Sequence, residues 1–232
     1  SWRTFWERTA AVSSFAAALL FGVAFGNLFR GLEIGPDTYH GTFLGLLNPY
    51  ALLTGLLFCA FFFFHGQLWL AFKAPAAPAA RASSLASRSW YVLSGLLLLF
   101  IAASYAATGL TGNFFVRKSL LLLPLLLVVS LAAAKLLLAA GRRHLAFCAS
   151  FAAIFFFSLT GFAGLYPDLL ASRLDPAFSL TVYNSASSPY TLKLMAAVVA
   201  VFLPIAIAYQ AWVYRLFRAP LTPEELKKSG MY

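Results

Sequence analysis

The chain has 232 residues, of which 62% are hydrophobic, 17% aromatic and only 10% charged. An ordinary soluble domain carries about 25% charged and 45–50% apolar residues, so a soluble enzyme is excluded, and a single anchor helix of about 20 residues cannot absorb the surplus. The chain reads as a polytopic membrane protein, and its 17 bases against 7 acids, net +10, point to membrane orientation rather than nucleic acid, because they lie singly or in pairs between apolar runs.

In chain order, Trp2, Arg3, Trp6, Glu7 and Arg8 form an interfacial lead-in, and the charge-free run 9–29 is the first span. Within it Gly22 and Gly26 are four apart, a smooth strip suited to close helix contact. Asn48 before Pro49 marks the start of a second span over 48–72, with a capping side chain ahead of a proline in the first turn. Residues 74–88, with Pro75, Pro78, Arg81 and Ser84, read as a solvated cytoplasmic linker. Spans over 89–108, 119–140 and 145–166 follow; Pro124 is expected to kink the span 119–140, the one interrupted by a charge, Lys135, which lies close enough to an end to snorkel. A long connection, 167–193, leads to Ser188-Pro189, a second capped start, and to a final span over 194–214 with Pro204 inside it.

The expected fold class is therefore all-α: six transmembrane helices in one membrane domain, 1–232, with both ends on one side. Twelve of the 17 bases, among them Arg3, Arg142, Arg143, Arg215, Arg218, Lys227 and Lys228, collect on that side, which is expected to be cytoplasmic. The other five, Arg30, Arg117, Lys118, Arg173 and Lys193, fall opposite, with the two longest connections.

All 7 acids (Glu7, Glu33, Asp37, Asp168, Asp175, Glu224 and Glu225) lie in loops or tails, so no carboxylate proton relay is expected in the membrane core. Cys59 and Cys148 sit in separate apolar runs as small buried thiols. His65 is the one histidine within a span; it shares a helical stripe with Thr54, and hydrogen bonding there competes with contact to a haem or quinone. Asn27, Gln67 and Gln210 read as polar glue near helix ends. Phe61–Phe64 and Phe155–Phe157 encircle their helices too completely to define one face. No phosphate loop, nucleophile with a base, or zinc spacing is present.

Several stretches carry a resemblance: Trp2-Arg-Thr-Phe-Trp-Glu7, Gly22-Val-Ala-Phe-Gly-Asn27, Leu46 to Gly55, His65-Gly-Gln-Leu-Trp69, Leu165-Tyr-Pro-Asp168, the irregular run Leu174 to Met195, and Ala208-Tyr-Gln-Ala-Trp212. Together they resemble subunit II of the cytochrome bd quinol oxidases, in order and over nearly the whole chain. The resemblance implies a subunit II-like bundle in a respiratory complex of the prokaryotic plasma membrane that oxidises quinol and reduces dioxygen to water. It implies b-type and d-type haems and the quinol site in subunit I, none bound by this chain, with room for a structural quinone or lipid. Partners implied are subunit I, small single-helix subunits and membrane lipids. Family members begin with further helices upstream, so the chain reads as the C-terminal part of such a subunit. No catalytic residue is expected here. The positions singled out are Asn27, Asn48, His65, Asp175, Asn184 and Lys193, as helix-end and interface contacts, His65 doubling as the weak cofactor candidate. Six apolar helices alone would also permit a secondary transporter fragment or a membrane assembly factor.

Overall fold

The fold is taken from a computed structural model, which describes residues 2–216. Arg218, Lys227 and Lys228 of the basic tally, and Glu224 and Glu225, lie outside the described residues. Seven α-helices are described: α1 (Trp2–Arg30), α2 (Pro49–Lys73), α3 (Ala76–Ala107), α4 (Gly112–Val116), α5 (Leu122–Ala139), α6 (Arg143–Leu165) and α7 (Pro189–Leu216). Six stretches are long and apolar enough to cross a membrane: α1, α2, α3, residues Lys118–Ala139, α6 and α7.

Local chemistry explains the helix ends. Asn48 Oδ1 accepts from the Ala51 N–H at 3.0 Å, and Pro49 occupies the first turn, where its missing N–H is not needed. Ser188 Oγ accepts from the Thr191 N–H at 3.3 Å at the start of α7. Between α5 and α6 the chain reverses within Ala140–Arg142, and Gly141 takes φ +74°, a left-handed conformation that favours glycine.

Two sequence expectations are corrected here. Residues 76–88 are not an irregular linker but the first turns of α3. The segment is rich in alanine, the best helix former, Pro78 falls within the first turn, and Ala79, Ala82 and Ala86 are buried. Pro124 is not a mid-helix kink either. A 3₁₀ turn, Lys118–Leu121, precedes α5, so Pro124 is its third residue, where no intrahelical N–H bond is lost.

α2 is the central helix, packed against α1, α3 and α6, while α5 packs on α6. The α1–α2 contact is backbone-close. A Cβ at Gly22 would lie 2.7 Å from Gly55 Cα, and one at Gly26 would lie 2.6 Å from Ala51 Cα. Small residues permit such approach where lipid supplies no hydrophobic drive of its own. The phenylalanine runs divide between core and lipid: Phe61 and Phe64 are buried, whereas Phe62 and Phe63 are exposed. Phe157 is buried too, with its ring 5.2 Å from Phe61, 5.5 Å from Phe100 and 5.8 Å from Phe58. At one membrane face Lys135 turns from the apolar core toward α3, donating to the Ser87 hydroxyl at 2.6 Å and the Ser87 carbonyl at 2.8 Å, over the Tyr91 ring at 4.4 Å. α7 stands apart, with no buried residue and its Tyr214 ring 6.2 Å from Trp69 of α2.

Candidate functional site

The polar groups worth weighing cluster at the end of the bundle that carries the α1–α2 connection and the segment after α6. At its base, Asn27 near the end of α1 meets Asn48 at the start of α2. Asn48 Nδ2 donates to Asn27 Oδ1 at 3.0 Å, and Asn27 Nδ2 donates to the carbonyls of Leu46 at 2.7 Å and Val23 at 2.9 Å. With Asn48 Oδ1 capping α2, the pair closes a circuit joining two helix ends and the turn between them. Asn27 is buried, so each of these bonds satisfies a group that water does not reach.

Above this pair the two long connections are tied together. Leu32 N–H donates to the Ala171 carbonyl at 2.9 Å, Arg173 N–H to the Leu32 carbonyl at 2.8 Å, and the Ser172 hydroxyl to the Ile34 carbonyl at 2.7 Å. Arg173 lies 3.6 Å from Glu33, an exposed pair that adds little to stability. Gly31 takes φ +86° where the chain leaves α1, and a Cβ there would lie 2.9 Å from the Ala171 carbonyl oxygen. Further along, β1 (Asp168–Leu170) pairs antiparallel with β2 (Leu180–Thr181). Asp175 Oδ1 accepts from the Ala177 N–H at 2.8 Å and so caps the single 3₁₀ turn Pro176–Phe178. Asn184 Oδ1 accepts from the Thr181 N–H at 2.7 Å while its Nδ2 donates to the Ser179 carbonyl at 2.9 Å.

The sequence-selected residues thus fall into three places. Asn27 and Asn48 are bonded to each other, and Asp175 and Asn184 each fold the segment after α6. His65 lies apart in α2, its Nδ1 2.7 Å from the Ser150 hydroxyl of α6 and its ring stacked on Phe147 at 4.3 Å. Lys193 is exposed on α7. Sequence reading missed Ser150, the partner of His65, and the pairing of residues 32–34 with 171–173. Nothing in local spacing signals either, since both join segments far apart in the chain.

The three histidines each make contacts inside the chain. His65 is engaged by Ser150 and Phe147, His144 meets the edge of Phe72 at 5.6 Å, and the His40 ring folds over Gly35 in the α1–α2 connection. Among the described residues no three of His, Cys, Asp and Glu converge as a metal site.

Six apolar spans, with α2 central among those that pack together and polar side chains spent on closing loops and helix ends, define a multi-pass helical membrane protein. The profile of the family described as cytochrome bd terminal oxidase subunit II matches residues 1–217, and the chain belongs to that family. A probable cytochrome oxidase subunit 2 of Haemophilus influenzae is 32% identical over 92% of this chain and 65% of its own length. The cytochrome bd ubiquinol oxidase subunit 2 of Bacillus subtilis is 26% identical over 97% of this chain and 66% of its own length. The cytochrome bd-I ubiquinol oxidase subunit 2 of Escherichia coli is 26% identical over 98% and 69% respectively. The chain therefore spans about two thirds of the length of these relatives.

Proposed function

We propose that the chain works as the haem-free subunit II of a bd-type quinol oxidase, docking the subunit I that carries the b-type and d-type haems and the quinol site. The complex would pass electrons from quinol to dioxygen, forming water, in a prokaryotic plasma membrane. The observation that carries this reading is the family match over residues 1–217, together with relatives named as quinol oxidase subunits. The haems supply the redox chemistry when bound in the partner; this chain supplies shape. Small single-helix subunits and membrane lipids complete the proposed assembly, and a structural quinone is compatible with the apolar cavity of about 240 Å³ between α3, α5 and α6. The excess of bases on the side of the membrane that holds both ends of the chain, twelve of the 17, supports a cytoplasmic location for that side.

Within that reading, Asn27, Asn48, His65, Asp175 and Asn184 act indirectly, because their polar groups bond inside this chain and hold its loops and helices in the form that docks. Lys193, exposed on α7, is placed to meet a partner directly. Asn184→Ala removes the two bonds that fold residues 179–184. Its expected effect is less assembled complex per unit of membrane, with unchanged turnover per haem in what does assemble. Normal assembly with lost turnover would contradict a structural role and move the site toward the chemistry.

A further inference from the structure

A second cleft lies on the flank of the bundle, away from the Asn27–Asn48 circuit. It has a volume of about 600 Å³, in the range of ligand pockets, and it lies where α4 folds back against the end of α6. Asn113 of α4 fixes that fold by donating to the carbonyls of Ala163 at 3.2 Å, Gly164 at 3.0 Å, and Tyr166. The groups exposed on α6 and α5 then divide by depth. At the rim stand Arg117, whose guanidinium lies over the Tyr166 ring at 5.8 Å, and Tyr183, whose hydroxyl is 2.7 Å from that of Tyr166. Below the rim the lining is apolar: Leu120 and Leu123 on one wall, Leu159 and Phe162 on the other.

Depth in the membrane gives this division meaning. The span Lys118–Ala139 begins beside Arg117, and the span of α6 ends at Leu165, so the rim sits at headgroup level and the lining runs into the hydrocarbon. From Tyr166 to Leu159 the α6 wall descends about 10 Å, at 1.5 Å per residue. No carboxylate among the described residues lines the cleft, so the Arg117 charge faces it uncompensated. The hydrogen bond to Tyr166 holds the Tyr183 phenol above its ordinary ionisation range, with Arg117 opposing, and whichever of the two hydroxyls accepts in that bond keeps its own proton to donate at neutral pH. A guanidinium and a phenol hydroxyl are suited to phosphate oxygens.

We propose that this cleft seats one anionic phospholipid, with its phosphate on Arg117 and the free proton of the Tyr166–Tyr183 hydroxyl pair and one acyl chain between Leu120, Leu123, Leu159 and Phe162. The proposal needs only that the helices span a membrane, and it stands or falls independently of the oxidase reading.

The test uses the complete protein, extracted in mild detergent with whatever it assembles with, stripped of lipid by detergent exchange and examined by native mass spectrometry. Phosphatidylglycerol, phosphatidylcholine and inorganic phosphate are added separately. One phosphatidylglycerol should bind per chain at concentrations about tenfold below those needed for phosphatidylcholine, and Arg117→Gln should erase that preference. Arg81→Gln, at an exposed charge outside the cleft, should leave it intact. Leu159→Trp, which fills the apolar wall while keeping Arg117, should lower binding of both lipids. Equal phosphatidylglycerol binding by the wild type and Arg117→Gln would overturn the proposal. So would equal affinity for the two lipids, which marks annular contact, or displacement of lipid by inorganic phosphate, which marks a free-anion site.

Discussion

The close approach of α1 to α2 gives a prediction with its own internal control. Alanine at Gly26 would place a Cβ 2.6 Å from Ala51 Cα and 2.9 Å from Thr54 Oγ1; at Gly22 the new atom would meet Gly55 Cα at 2.7 Å and Phe58 Cβ at 2.8 Å. Nonbonded carbons rest at about 3.5–4.0 Å, so the helices must part by about 1 Å. The nearest obstacles are backbone and Cβ atoms, which cannot rotate aside. Overpacking of this kind costs about 1–3 kcal/mol. Gly66 and Gly95 are also helical, yet a Cβ at either meets nothing within 4 Å. There, Gly→Ala should stabilise by about 0.5–1 kcal/mol, through backbone entropy alone. The same substitution therefore changes sign with position. Chemical unfolding of the four single variants in one defined detergent reads the difference, with Gly26→Ala and Gly22→Ala unfolding before the wild type and Gly66→Ala and Gly95→Ala after it. A Gly26→Ala variant as stable as Gly66→Ala would refute the close contact.

Two further outcomes follow from the polar end of the bundle. Asn27→Ala and Asn48→Ala should each destabilise by about 1–3 kcal/mol, since each strands buried partners. The double variant should cost clearly less than their sum in the same unfolding assay, because the two side chains share a bond; strict additivity would deny the circuit. For Tyr183, the hydrogen bond to Tyr166 raises its ionisation above the ordinary value near 10. A raised pKa in the folded state means that the contribution of this bond is full below the ordinary value and is lost as pH rises through the raised one. Tyr166→Phe should bring the Tyr183 phenolate transition down in pH, read as the absorbance difference between matched proteins with and without Tyr183→Phe; an unmoved transition would count against the pair.

Much of the bundle was legible because the signals are local. Charge-free runs give spans, and Asn48-Pro49 and Ser188-Pro189 give helix starts, because a cap acts within three residues of itself. The Gly22–Gly26 strip was legible as a contact surface, though not the identity of Ala51 and Gly55 as what it touches. Residues 76–88 were misread because proline, serine and arginine suggested solvent, while the alanines that bury one face signal a helix only once a neighbour is known. Pro124 was misjudged by three residues, enough to turn a kink into a tolerated first-turn position. The division of Phe61–Phe64 between core and lipid has no sequence signature, since both environments are apolar. At the candidate sites, Asn27 and Asn48 stood out as polar residues near span ends, but their pairing across 21 positions did not. Longer separations, 85 positions for His65 and Ser150 and 138 for Ile34 and Ser172, hid those pairings too.

The central claim is that this chain serves a haem-bearing partner without ligating haem itself. The most direct test is a reduced-minus-oxidised spectrum of the complex purified in mild detergent after co-expression of the complete protein with subunit I, for the wild type and for a variant with His40, His65 and His144 all replaced by glutamine. The account predicts that b-type and d-type haem bands co-purify with the chain and that their amplitude per assembled complex is the same in both. Absence of any haem-bearing partner, or loss of a haem band per complex in the triple histidine variant, would contradict it.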